Sequence, residues 1–384
     1  MTEHLQNLEQ KRGDDNIMQK KSNSLRDVIV VGFALFSMFF GAGNVVFPPY
    51  LGMEAGPQWL AGFSAYFIAD IGLALLGMFA LLRVGSSEAV ISRVGKVPAE
   101  LLMCAIILCI GPMVAIPRTS ATTYEMAIVP NLSGVSPVVF SILFFALILA
   151  LCIRESAVVD IVGKILTPLL LLGLFAIIIK GVITPVGEIS ALPQISNVAV
   201  TGIKAGYQTM DALAALPFGI IVLQSVTAKG YDSGRKQFRV VGGSAVLAGI
   251  LLLAVYMGLA YLGATVSAQY TNDIGRAQLI MAIIEALMGK VGMILFFLFL
   301  TVCVIEGISG LLSQIIREER SLSPLGKRLL TGAAVLLALV CTLSLQPPDF
   351  SHTSPQTVRA MVSGLLHPDW AFFFETDASG LGYL

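Results

Sequence analysis

Charge is what this chain has least of. Only 12% of its 384 residues are Asp, Glu, Lys or Arg, about half the roughly 25% usual in soluble domains. Against that, 56% are hydrophobic and the mean hydropathy is +0.85. The balance excludes a soluble globular protein and implies one whose main partner is the lipid bilayer. The 24 basic residues are matched by 24 acidic ones, a balance that by itself says nothing about partners; no nucleic-acid partner is expected. Histidine is scarce: His4, His352 and His367 are the whole set, and no two share a helix face at metal-ligand spacing. The five cysteines, Cys104, Cys109, Cys152, Cys303 and Cys341, are scattered. The nearest pair has no second pair or histidine to complete a zinc site, so they read as small buried hydrophobes. A Walker lysine pattern, GxSxG and HExxH are all missing, so an enzyme is not expected, nor a resident cofactor. Residues Met1–Asp27 have neither an apolar core nor a small-residue cleavage site. They read as a disordered cytoplasmic extension and not as a signal peptide. Nothing in the chain points to an obligate protein partner.

What is abundant is uninterrupted apolar sequence close to the ~20 residues that cross a bilayer. Such runs are Val28–Leu51, Trp59–Val84, Ala99–Val129, Pro137–Ile153 and Ile161–Ile183, then a marginal Ile203–Leu223, then Val240–Val266, Val291–Ile316 and Leu329–Leu345. The runs are continuous and not alternating, which makes them helices and not barrel strands. Residues 267–289 read as an outer loop carrying a short amphipathic helix.

Loop charge orients these spans. With the N-terminus inside, 18 basic residues fall on inner connections, among them Arg26, Arg83, Lys96, Lys229 and Arg235, and four on outer ones, Lys180, Lys204, Arg276 and Lys290. That asymmetry is what the positive-inside rule predicts. It also makes the marginal sixth segment a span, since dropping it would invert every later loop.

Two spans are built badly for continuous helices. Gly41-Ala-Gly-Asn-Val-Val-Phe-Pro-Pro49 interrupts the first, although glycine costs about 1 kcal/mol and interior proline about 3 relative to alanine. The sixth, Gly206-Tyr-Gln-Thr-Met-Asp-Ala-Leu-Ala-Ala-Leu-Pro-Phe-Gly219, is interrupted by Pro217 and Gly219 and holds Asp211 at membrane depth. A buried aspartate there costs roughly 2.5–3.5 kcal/mol, so it should face a cavity or a partner. Each break sets a polar residue, Asn44 or Asp211, ahead of a proline, and five spans separate the two. Paired interruptions in corresponding spans of two halves point to a secondary transporter's binding site. The expected second half-helix starts at Pro48-Pro49, where first-turn prolines are tolerated. Its amides, around Asn44–Phe47, suit a carboxylate. The carbonyls around Phe40–Gly43 suit a cation or an ammonium group.

These residues resemble a known family. Phe39-Phe-Gly-Ala-Gly-Asn-Val-Val-Phe-Pro-Pro-Tyr50 is similar to the first-span signature of the bacterial branched-chain amino-acid:cation symporters, the BrnQ-type carriers. Gly111-Pro-Met-Val-Ala-Ile-Pro-Arg-Thr-Ser120 matches their third-span motif, and Gly206-Tyr-Gln-Thr-Met-Asp211 their sixth. The resemblance runs from about Leu25 to Ile316. It implies Na⁺-driven uptake of leucine, isoleucine and valine across the bacterial inner membrane, by a multi-pass protein with the five-plus-five inverted-repeat fold of the LeuT type. Residues 28–183 would form the first repeat and 203–345 an incomplete second, within a transporter domain of 28–345. Carried over, Gly41, Ala42, Gly43 and Asn44 would contact substrate, faced by Met210, Asp211 and Ala212, with Phe47, Phe218 and Val114 as apolar walls. Gly41 and Asn44 would contribute to a Na⁺ site with Ser309 and, unexpectedly for the family, Glu306. A carboxylate at 306 would neutralise Na⁺ or carry a proton instead. Arg118 either gates the outer vestibule, alone or paired with Glu125, or snorkels to the outer interface. Asp70, mid-span, reads as a buried hydrogen-bonding partner in preference to a relay.

Members of that family continue to about twelve spans. Here the count is nine, or ten if Val358–Phe374 inserts and buries His367, Pro368 and Asp369. Residues 346–384 otherwise form an atypical tail. Two alternatives follow: a proton-coupled carrier of another small neutral amino acid, and a truncated, non-transporting membrane protein of the same fold.

Overall fold

The computed structural model describes residues 24–85, 95–129, 135–153, 167–231, 234–289 and 292. The head before residue 24, the expected eighth and ninth spans with Glu306 and Ser309, and the tail lie outside the described residues. Among the described residues the regular structure is entirely helical. We number α1 (24–39), α2 (Ala42–Ala55), α3 (Trp59–Phe67), α4 (Leu73–Val84), α5 (Lys96–Leu108), α6 (Ala115–Thr123), α7 (Pro137–Ile153), α8 (Thr167–Ile183), α9 (Val198–Gln208), α10 (Asp211–Ala228) and α11 (Gly234–Ala264). Helix α12 (276–289) follows, where the sequence placed a short helix in an outer loop. The protein is therefore an all-α membrane protein of several spans. Gly43–Val84, Val198–Thr227 and Gly234–Ala264 are each long and apolar enough to cross a bilayer, the first turning a corner at Gly56.

Three π-helical turns interrupt the second and third spans, at Ile68–Gly72, Cys109–Met113 and Tyr124–Ile128. Such turns widen a helix locally and often mark functional positions. The first holds Asp70, fully buried.

Small residues let two pairs of helices meet almost backbone to backbone. A methyl on Gly263 of α11 would collide with the Pro49 carbonyl, and one on Gly52 of α2 with the Ala260 carbonyl. Likewise Gly202 and Gly206 of α9 leave no room for a side chain against the Gly62 and Tyr66 carbonyls of α3. In lipid, where the tails are as apolar as the helices, close packing of this kind drives association in place of the hydrophobic effect. The breaks in α1/α2 and α9/α10 are thus pressed against the second and seventh spans.

At the end of the bundle where the first span begins, it is tied to the sixth. Lys229 Nζ lies 3.1 Å from Asp27 Oδ1 and the Tyr231 hydroxyl donates to Asp27 Oδ2 at 2.7 Å. Asp27 precedes the apolar run. Burial acts to raise its carboxyl, but the hydrogen bonds from Tyr231 and Lys229 outweigh it and hold the group below its ordinary value. At the opposite end Gln194 Nε2 donates to the carbonyls of Ser267 and Tyr270 at 3.0 and 2.8 Å, and the Tyr50 hydroxyl to that of Asn272 at 3.0 Å.

Candidate functional site

The first break is shorter than the sequence suggests. α1 ends at Phe39, only Phe40 and Gly41 leave helical geometry, and α2 starts at Ala42. Pro48 and Pro49 therefore lie inside α2 and not at its first turn. The extended Gly41 (φ −100°, ψ 174°) already completes the break and caps the new helix, with Asn44 N–H on its carbonyl at 3.0 Å. The prolines then only remove the helical donors that the Asn44 and Val45 carbonyls would have had. Gly41 is exposed and a methyl on it would meet nothing within 4 Å. The first-turn amides of Ala42 and Gly43 have no intrahelical acceptor, and sit at the positive end of α2.

The second break also falls earlier than expected. It lies at Thr209–Met210, whereas Pro217 and Gly219 are inside α10. Met210 takes φ 69°, the left-handed region, the only non-glycine to do so among the described residues. An L-residue there costs roughly 1–2 kcal/mol. The strained turn ends α9 and starts α10 with Asp211 in its first turn, where the helix dipole favours a negative charge.

Side chains bind the two breaks together. Asn44 Nδ2 donates to the Phe39 carbonyl at 2.7 Å, to Asp211 Oδ2 at 2.6 Å and to the Tyr256 hydroxyl at 2.5 Å, so two hydrogens serve three oxygens. It repairs the carbonyl that the break frees and ties α1, α10 and α11 at one point. Arg118, half-buried on α6, caps the other side: Nη1 donates to the Gln208 carbonyl at 2.7 Å and Nη2 to that of Thr209 at 3.3 Å. These are the last carbonyls of α9, which attract a cation. A methyl on Gly43 would sit 2.8 Å from Arg118 Nη2, so the second glycine of the motif is the space the guanidinium needs. Arg118 thus faces the two breaks and is not a snorkelling residue. Asp70 lies beneath, its Oδ1 2.6 Å from the Thr209 hydroxyl.

The remaining expected residues fall around this joint. Phe218 packs edge-on against Phe39 with centroids 5.3 Å apart, and Phe47 lies under the guanidinium groups of Arg276 and Arg118 at 4.9 and 6.0 Å. Both rings are buried. Met210, Ala212 and Val114 are half-buried. Sequence reasoning missed Tyr256, Tyr66, Thr209 and Arg276. The tyrosines sit in apolar runs with no local signal. Arg276 was counted as a loop charge, yet it also stacks on Tyr50 at 5.1 Å.

The joint sets the first-turn amides of α2 near helix-end carbonyls, and the described residues hold no group of three or more His, Cys, Asp or Glu that could bind a metal ion. Comparison with known proteins agrees in class. The family model described as "Branched-chain amino acid transport protein" matches residues 24–340. The branched-chain amino acid permease BraB of Bacillus subtilis is 35% identical over 306 residues, 77% of this chain and 68% of BraB. The branched-chain amino acid transport system 3 carrier protein of Pseudomonas aeruginosa is 35% identical over 273 residues, 70% of this chain and 62% of the carrier. Among solved structures the chain is similar to a Na⁺-coupled sialic acid symporter, at 15% identity and a TM-score of 0.43 over 84% of this chain and 80% of the other. That likeness is too distant to transfer residues. The matching of residues 24–340 decides the question: this chain belongs to the branched-chain amino acid transport protein family, whose members are carriers and not enzymes.

Proposed function

We propose that the protein imports leucine, isoleucine and valine across the bacterial cytoplasmic membrane by symport with Na⁺, binding substrate between the broken parts of the first and sixth spans. The observation that carries this reading is the exposed, unobstructed Gly41 beside the joint where the two breaks are tied by Asn44 and Asp211. Substrate carboxylate is assigned to the orphan amides of Ala42 and Gly43 at the start of α2. Its ammonium group is assigned to the carbonyl end of α1 and to the side of Asp211. Apolar surface from Phe47, Phe218 and Val114 takes the side chain. One methylene in such a pocket is worth about 1–3 kcal/mol, so the three substrates share one site. Na⁺ is assigned to backbone carbonyls around Gly41, with Ser309 and Glu306 as eighth-span partners. Two broken spans five apart, running in opposite directions through the bilayer, support the inverted-repeat fold of the LeuT type.

The test is uptake of labelled leucine into proteoliposomes. An inward Na⁺ gradient should drive accumulation, and unlabelled isoleucine and valine should compete. Accumulation that ignores Na⁺ would overturn the coupling; leucine binding with no accumulation under any gradient would overturn transport itself.

A further inference from the structure

Asp70 and Asp211 are buried, at 0% and 6% exposure, and both lie at the second break: Asp70 Oδ1 is 2.6 Å from the hydroxyl of Thr209, two positions before Asp211. Asp70 meets Thr209, whereas the guanidinium groups of Arg118 and Arg276 lie on the α9 carbonyls and on the Phe47 and Tyr50 rings. An uncompensated charge at membrane depth is costly, and two carboxylates close together cannot both ionise cheaply.

Hydrogen counting locates the proton. The Thr209 hydroxyl has one hydrogen, but its Oγ1 lies 2.6 Å from the Gly206 carbonyl and 2.6 Å from Asp70 Oδ1. A carbonyl can only accept. If the hydroxyl serves Gly206, the short contact to Asp70 is attractive only when Asp70 donates. Two further groups mark the spot. Asp70 Oδ2 and the Tyr66 hydroxyl are both fully buried, and neither has a hydrogen-bond partner of good geometry. Unpaired polar atoms cost several kcal/mol each in such surroundings, and a titrating proton is a ligand that would use them.

We propose that Asp70 is a proton-binding site of the carrier. The charged and titratable groups facing it are Asp211 on α10, Arg118 on α6, Tyr66 on α3 and Tyr256 on α11, with Arg276 beyond Arg118. Protonated Asp70 leaves Asp211 and Arg118 as a balanced pair and holds the π-helical turn of the second span against the break in the sixth. When the proton leaves for bulk water, its O–H bond to Asp70 breaks and no other bond changes. The second span then carries a charge that repels Asp211, and the two spans separate. The sequence reading favoured a passive role for Asp70; the hydroxyl geometry favours an active one.

The proposal rests on the transport reading only for its functional consequence, so two measurements separate them. Infrared difference spectra of the purified protein across pH should contain the carbonyl stretch of a buried carboxylic acid. Asp70→Asn should abolish the band and Thr209→Val should move it to higher frequency. A band missing from the wild type, or unchanged in Asp70→Asn, overturns the proton site whether or not the protein transports anything. In proteoliposomes with Na⁺ held fixed, wild-type leucine uptake should change at least several-fold across the pH range of that band. Asp70→Asn, which mimics the protonated carboxyl, should flatten the profile; an Asp70→Asn profile as steep as the wild type overturns the coupling of the proton to transport.

Discussion

The two breaks that meet at the site are made in opposite ways. Between α1 and α2 the chain turns through a glycine in ordinary extended geometry, with open space beside it. Between α9 and α10 it turns through a methionine at φ 69°, flanked by buried Thr209 and Asp211 and capped by Arg118. The first break is unstrained and open; the second is strained and clamped from three sides. A backbone opening that must admit a ligand needs free donors and room, which Gly41 and the amides after it supply. An opening that positions charged groups must be held, and strain there persists because the surroundings over-determine it. In the proposed function the first break is the face a substrate meets, and the second the frame that fixes it.

Removing the clamp should do the most damage. Arg118→Ala strips the last α9 carbonyls of their cap and leaves Asp211 without its compensating charge, at a cost of roughly 3–5 kcal/mol. Thermal unfolding in detergent and leucine uptake should both collapse. Wild-type unfolding in this variant would mean that the second break is held by its own backbone.

The two glycines of the first break should then behave differently. Gly43→Ala pushes a methyl toward Arg118 Nη2, 2.8 Å away, and overpacking of that sort costs about 1–3 kcal/mol. Gly41→Ala meets nothing, so stability should stay within about 0.5 kcal/mol while leucine affinity falls. Equal stability losses in the pair would erase the distinction between packed and open positions.

The smallest effect is expected at Met210. Glycine relieves roughly 1–2 kcal/mol of left-handed strain and gives back about 0.5–1 in chain entropy. Met210→Gly should therefore stabilise the protein slightly, by on the order of 0.5–1 kcal/mol, with uptake nearly unchanged. A large loss of uptake would assign the methionine side chain to the substrate.

Much of this was legible beforehand because it depends on composition along the chain. Glycine-rich interruptions of apolar runs announce broken spans wherever they pack, and Asn44 and Asp211 were visible as polar residues with no place in lipid. Helix limits were less legible. The prolines at 48, 49 and 217 drew the expected breaks toward themselves, but proline inside a helix removes one hydrogen bond and need not end it. The actual breaks fall where the backbone bonding is rerouted, at Gly41 and Met210, and methionine carries no mark of left-handed geometry.

By itself, then, the sequence determined the membrane setting, the family and the two segments in which the spans are broken. These follow from local chemistry: hydropathy, helix-breaking residues and motifs. Only the tertiary structure decided that Asn44 ties the breaks to each other and to Tyr256, and that Arg118 caps α9 through space kept by Gly43. It also decided that Asp70 meets Thr209, 139 positions along the chain. Contacts between residues so far apart arise from how helices pack, and packing reads the shape of whole faces and not the identity of neighbours in sequence.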